Sequence, residues 1–317
     1  MTKSSMTIWV LSLLASACAV PAELTPDQAV SDAGLGGSAG AAAGGAPGGG
    51  GAVAGGGSGG GVNAGGGSGL APGECSDQLK QIYVLTALET PHLLRFDADK
   101  FTFTEVGKVV CPFSPPVYSF TISRDGTAWI SATSGNLYKL DLHTLVCTEL
   151  DYDPKASGFY QMQLAFAADA PGAKTETLFA VDVPTGELGT IDPLSLQVTK
   201  VGKLSPHINL PRLTGTGDAK LFAMGFTTPI GEVDKKNGNV KVMKEVQELA
   251  GNGGGLGFAQ LAGDLFAFRG VGDKKVRVGR YSPTTGTFVK LDEVPISQNA
   301  LIAGAAVSTC APFAVPK

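Results

Sequence analysis

The residue types able to carry acid–base or metal chemistry are sparse in this chain. Of its three histidines, His207 in Pro206-His207-Ile208-Asn209 stands just before a hydrophobic segment, whereas His92 and His143 read as solvated turn residues. A single histidine without a positioned Ser, Cys or second ligand completes neither a nucleophile–base pair nor a zinc site. There is no G-x-S-x-G, no H-E-x-x-H and no Asp-rich calcium loop, so no catalytic residue, metal ligand or cofactor is assigned. Four aspartates, Asp97, Asp141, Asp192 and Asp234, recur at similar places. Each follows a β-prone run and precedes a short turn, which points to backbone-capping turns rather than to metal ligands. Of the five cysteines, Cys18 stands apart near the start, and Cys75, Cys111, Cys147 and Cys310 form an even set. In an exported chain such a set reads as disulfides, with three possible pairings. Zinc is the rival, but no C-x-x-C or close Cys/His pair supports it.

The elements that must position these groups come from an internal repeat. Leu94-Arg95-Phe96-Asp97, Tyr138-Lys139-Leu140-Asp141, Gly189-Thr190-Ile191-Asp192, Gly231-Glu232-Val233-Asp234 and Gly279-Arg280-Tyr281-Ser282 align, and their last positions lie 42 to 51 residues apart. A turn and a second β-prone run follow each, such as Leu145-Val146-Cys147 or Val240-Lys241-Val242. Upstream of each lies a hydrophobic strand, for example Ala128-Trp129-Ile130-Ser131 or Leu265-Phe266-Ala267-Phe268. Before four of these comes another short strand and a tight turn, as in Phe120-Thr121-Ile122 before Arg124-Asp125-Gly126. Four strands per repeat of this length predict an all-β fold, a single β-propeller of five four-stranded blades. Six blades would require splitting the longer third repeat.

The first repeat lacks its innermost strand, and Leu301–Val307 has no hairpin after it. Donating that C-terminal strand to the first blade closes the ring without a long open edge. This closure selects among the cysteine pairings. Cys75 precedes the first strand and Cys310 follows the last, so Cys75–Cys310 would latch the closing blade and leave Cys111–Cys147. Propellers bind ligands at the mouth of the central channel, where the innermost strands begin. Tyr118, Tyr160, Gln161, His207, Arg212 and Asn299 lie in or beside those strands and are the candidate ligand contacts.

The N-terminus supplies the destination. Residues 1–17 combine Lys3, the apolar stretch Ile8–Ala15 and a small Ala15-Ser16-Ala17 ending, the pattern of a removable signal peptide. The apolar run is about half the length of a membrane span. Leu14-Ala15-Ser16-Ala17-Cys18 resembles a bacterial lipobox, which implies lipidation of Cys18 and sorting to the outer membrane or cell surface. The family's usual Leu three places before the cysteine is replaced by Ala15. Ordinary cleavage after Ala17, leaving a soluble periplasmic or secreted protein, is the alternative. Residues 18–72 are dominated by Gly, Ala, Ser and Pro from Ala33 onward, which cannot bury enough apolar area to offset ordering entropy. They are expected to form a disordered tether; a flexible coil of about 50 residues spans roughly 40 Å. The propeller domain is assigned to residues 73–317.

Loss of Lys3 with the leader takes the formal charge from −4 to −5, and no basic block appears. That argues against nucleic acid as a partner. The Gly-rich leash after a lipobox, the Leu-Tyr-Lys-Leu-Asp repeat and the Gly257-Phe258-Ala259…Gly263-Asp264-Leu265-Phe266 blade resemble secreted and lipoprotein propellers of myxobacteria and their relatives. The resemblance covers most of residues 75–310 and implies a fold, not a reaction. The expectation is a monomeric, non-catalytic envelope protein, held to the membrane by its N-terminal lipid, that displays a propeller to an unidentified protein or glycan. The alternative is an enzyme similar to metal-dependent propeller lactonases. Those need several carboxylates or amides converging on an ion in the channel, and the innermost strands here carry almost none.

Overall fold

The structure is a computed structural model, and it describes residues 75–313 apart from 88–89, 113–115, 227–228, 246, 248, 250–253 and 273. The expected signal peptide, the expected lipidation site Cys18 and the expected tether lie outside the described residues. Twenty strands form five four-stranded antiparallel sheets arranged as a five-bladed ring. The first blade takes β1 (Ile82–Thr86), β2 (His92–Asp97) and β3 (Thr102–Lys108). The second holds β4 (Val117–Ile122), β5 (Thr127–Ala132), β6 (Leu137–Asp141) and β7 (Cys147–Glu149). The third runs through β8 (Met162–Ala168), β9 (Glu176–Asp182), β10 (Glu187–Ile191) and β11 (Val198–Lys203). The fourth is β12 (Arg212–Gly215), β13 (Leu221–Met224), β14 (Ile230–Val233) and β15 (Val240–Lys244). The fifth is β16 (Leu256–Leu261), β17 (Asp264–Gly270), β18 (Lys275–Ser282) and β19 (Thr287–Pro295). The chain then returns as β20 (Ile302–Ala306), which pairs antiparallel with β1 and completes the first blade. Ring closure by the C-terminal strand is therefore as the repeat pattern predicts.

Why the strands read as apolar runs rather than alternations follows from burial on both faces. In β17, Leu265 and Ala267 face the fourth blade, whereas Phe266 and Phe268 face the first. The buried side chains accordingly sort into five layers, one per junction between neighbouring blades. The layer between the fifth and first blades is aromatic, with Phe96 within 5.2 Å of Phe101, Phe103 and Phe268 by ring centroid. Each buried aromatic or aliphatic side chain contributes on the order of 1.5–3 kcal/mol by leaving water. The outer strands, such as β3 and β19, are mostly exposed and polar on their free sides.

A five-membered ring forces its inner strands close together. A Cβ on Gly215 of β12 would overlap the Phe166 carbonyl oxygen of β8, so glycine is required at that contact. Side chains also cross between blades: Ser119 Oγ accepts from Leu164 N–H at 2.9 Å, and Gln163 Nε2 donates to the Tyr118 carbonyl at 3.0 Å.

The recurring aspartates are turn caps. Asp97, Asp141, Asp192 and Asp234 each accept the backbone N–H two residues on through Oδ1, and the first three also accept the N–H three residues on. Four residues past each cap the backbone turns left-handed: Phe101, Leu145 and Leu196 at φ 57° to 61°, and Gly238 at 81°. His143 sits in such a turn, as expected. His92 does not: it opens β2, and its Nδ1 lies 2.7 Å from Glu105 Oε1 on the paired strand β3.

Both disulfides join the cysteines that ring closure pairs. Cys75 and Cys310 have Cα atoms 5.4 Å apart and are separated by 235 residues. Cys111, leaving the first blade, joins Cys147 in β7 with Cα atoms 4.6 Å apart. Beside this link Val110 bridges to Val146, so the first two blades are stitched at their outer edges. Two disulfides suit an oxidising compartment. Among the described residues no helix is long and apolar enough to cross a membrane.

Candidate functional site at the mouth of the ring

The two ends of the ring are built differently. Where the inner strands finish, the segment after β20 crosses the end and meets every blade. Thr309 Oγ1 donates to Glu176 Oε2 of the third blade at 2.6 Å, and Ala262 N–H of the fifth donates to the Pro312 carbonyl at 2.7 Å. Cys310 Sγ lies 3.4 Å from the Arg124 carbonyl of the second blade and is bonded to Cys75 beside the first. Gly217 of the fourth blade sits so tightly under the Thr309 carbonyl that a Cβ would overlap it. Val307, Ser308, Thr309 and Ala311 are buried in this stopper.

The opposite end, where the inner strands begin, carries a stack of alternating rings and cations. Arg212, the first residue of β12, places its guanidinium carbon 5.4 Å from the Tyr118 ring of the second blade and 5.7 Å from the Phe226 ring. Arg269, near the end of β17, lies on the Phe226 ring at 4.4 Å. Its position follows from register, because Arg269 pairs with Leu256 at the start of β16, just as Met224 pairs with Arg212. Arg212 is 7% exposed and Arg269 1%, while Tyr118 and Phe226 are half-buried. Arg212 Nε donates to the Leu256 carbonyl at 2.8 Å, which fixes the guanidinium plane. Loss of solvent lowers the affinity of Arg212 for its proton, and contact with Tyr118 opposes that. For Arg269 burial lowers it first, and the neighbouring charge of Arg277 adds to the effect. Among the described residues no carboxylate lies within ion-pair distance of Arg212.

Of the six expected contacts, the structure brings Tyr118 and Arg212 together. Tyr160 is exposed just before β8, its N–H donating to Asp182 Oδ1 at 3.0 Å. The Gln161 carbonyl accepts from Val183 N–H, so that segment is backbone-anchored. His207 is exposed, its Nδ1 3.4 Å from where a Cβ on Gly186 would stand, in the turn after β9. Asn299 is exposed before β20. Phe226 and Arg269 were not expected. A cation closing the apolar run Leu265-Phe266-Ala267-Phe268 was the available signal for Arg269; Phe226 lies in a loop without one. Among the described residues no three His, Cys, Asp or Glu side chains gather as a metal site.

No protein-family model matches the chain, and no curated protein matches it. Among solved structures, similarity is found at low identity. A chain of the nidogen/laminin complex is 11% identical with a TM-score of 0.46, covering 71% of this chain and 97% of that one. A chain of the hydrazine synthase of Kuenenia stuttgartiensis is 16% identical with a TM-score of 0.37, covering 56% of this chain. This chain spans 49% of that synthase chain.

Proposed function

We propose that this protein is an exported, lipid-anchored, non-catalytic propeller that binds an acidic group of an envelope protein or glycan at the mouth formed by Tyr118, Arg212, Phe226 and Arg269. The observation that carries the reading is Arg212. A buried cation costs several kcal/mol unless something compensates it. Here carbonyl oxygens and ring faces compensate in part, and a carboxylate, sulfate or phosphate oxygen from a partner would complete the set. A guanidinium whose plane is already fixed loses little freedom when it engages such a group. The stopper at the other end leaves this mouth as the end for approach. The lipobox-like Ala17-Cys18 and the glycine-rich leash supply the anchor and the reach.

Two measurements test the two halves of this reading. Full-length protein immobilised through a C-terminal tag should capture acidic envelope material at low salt and release it at high salt. Arg212→Met should lower that capture by about tenfold or more, the equivalent of one charge-assisted hydrogen bond. Capture that survives both high salt and Arg212→Met refutes the mouth as the binding site. Separately, Cys18→Ser should move the protein from the membrane pellet to the soluble fraction. A wild-type protein already found soluble removes the anchor from the account.

A further inference from the structure

Another buried polar side chain opens onto a cleft at the stoppered end. Gln260, on the inner strand β16, is 3% exposed. Its alternation partners Leu256 and Phe258 pack in the layer between the fourth and fifth blades, so Gln260 extends into the same junction. There the apolar layer gives way to a cleft of about 430 Å³. Thr216, Asp218, Lys220 and Phe222 line it from the fourth blade and Gln260 from the fifth, with Phe313 of the C-terminal segment at its rim. Among the described residues the side-chain amide of Gln260 makes no hydrogen bond, whereas that of Gln163, on β8 at the other end of the ring, donates to the Tyr118 carbonyl. The amide opens onto the cleft, where it offers both a donor and an acceptor to a molecule that enters.

The surroundings narrow what that group is. Phe222 is buried in the wall and Phe313 is 44% exposed at the edge, which suits a ligand with one apolar face. Asp218 and Lys220 lie 3.5 Å apart, and Asp264 pairs with Arg280 at 2.6 Å close by. These pairs cancel, so neither an anion nor a cation gains net attraction there. A neutral molecule with adjacent hydroxyl groups on one side and C–H groups on the other satisfies every requirement: an amide and a carboxylate for the hydroxyls, an aromatic ring for the C–H face. The volume lies within the ordinary range for small-molecule sites.

We propose that the cleft between the fourth and fifth blades is a sugar-binding site that takes a neutral pyranose ring of a glycan, with Gln260 as its central hydrogen-bonding group. It is separate from the arginine stack, which lies at the other end of the ring.

The test is saturation-transfer NMR on the full-length chain with the methyl glycosides of glucose, galactose, mannose and N-acetylglucosamine. At least one should receive saturation. Gln260→Leu should weaken its binding about tenfold or more with the circular dichroism spectrum unchanged. Phe313→Ala, at the exposed rim, should also weaken it and covers the case in which Gln260→Leu does not fold. Arg212→Met should leave the transfer as it is, so failure here is separable from failure at the mouth. Absence of transfer from all four glycosides, or transfer indifferent to both cleft variants, overturns the assignment.

Discussion

The two ends of the ring solve opposite problems with the same inner hairpins. Across the stopper itself, Glu176 is paired with the Arg124 N–H and the Thr309 hydroxyl, and the Ala262 N–H with the Pro312 carbonyl. At the mouth, Arg212 is held by carbonyl oxygens and ring faces, with no described carboxylate in reach. Buried polar groups that are fully paired rigidify a fold, whereas a buried charge left short of a counter-ion is a standing demand for one. The C-terminal segment across the stoppered end therefore serves the fold, and the mouth is the end where a buried charge calls for a partner.

The largest expected effect tests the structural end. Joint replacement of Cys75 and Cys310 by Ser releases a loop closed across 235 residues. It should cost about 2–4 kcal/mol, or roughly 5–15 °C in thermal midpoint for a domain of this size. Replacing Cys111 and Cys147, separated by 36 residues, should cost about 1–2 kcal/mol less in the chain-entropy account. Hydrogen exchange localises the damage. The Ala262 and Ala311 amides, bonded to the Pro312 and Ser308 carbonyls, should lose protection first. Equal loss at the Phe226 amide, bonded to the Asn209 carbonyl near the mouth, would break the contrast between the ends.

A smaller effect is expected at the mouth. Arg212→Met removes a desolvated cation but also strips the Leu256 carbonyl of its donor. The two changes oppose each other, so stability should move by no more than about 1 kcal/mol while capture falls. A loss comparable with that of the disulfide would mean that Arg212 is a structural strut and not a binding group.

Most of the architecture was legible because propeller physics writes itself into one dimension. The 42-to-51-residue spacing of Asp97, Asp141, Asp192, Asp234 and Ser282 exposes the blades, and each aspartate caps a turn through local bonds. The missing inner strand of the first repeat and the orphan strand at 301–307 imply closure, and closure selects Cys75–Cys310. The site was legible only in part. Tyr118 and Arg212 sit on inner strands that the repeat locates. Phe226 and Arg269 enter the site through a loop and through the register of β17 against β16, which local pattern does not report. The stopper was illegible for a similar reason. Val307–Phe313 meets hairpin turns of the second to fifth blades, contacts between residues as much as 186 positions apart. His92 was misread as a turn residue because its pairing with Glu105 depends on the β2–β3 register.

The finest test of the comparison concerns Glu176. Burial pushes its carboxyl above the ordinary carboxylate range, and Asp125 nearby adds to this. The hydrogen bonds from the Arg124 N–H and the Thr309 hydroxyl, and the charge of Arg124, act the other way without cancelling it. An acid whose folded pKa is raised contributes stability that is full when the group is protonated. That contribution is lost as pH rises from the unfolded value, about 4.3, through the raised folded one. Glu176→Gln keeps an acceptor for Arg124 and a polar partner for Thr309, but removes the ionisation. The variant should match the wild type near pH 4 and gain on it as pH rises toward 7, by less than the disulfide effect. Denaturant midpoints measured across that range read the difference directly. A variant whose disadvantage grows with pH would show that the ionised carboxylate is what holds Thr309 down, making the stoppered end a charged latch instead of a desolvated one.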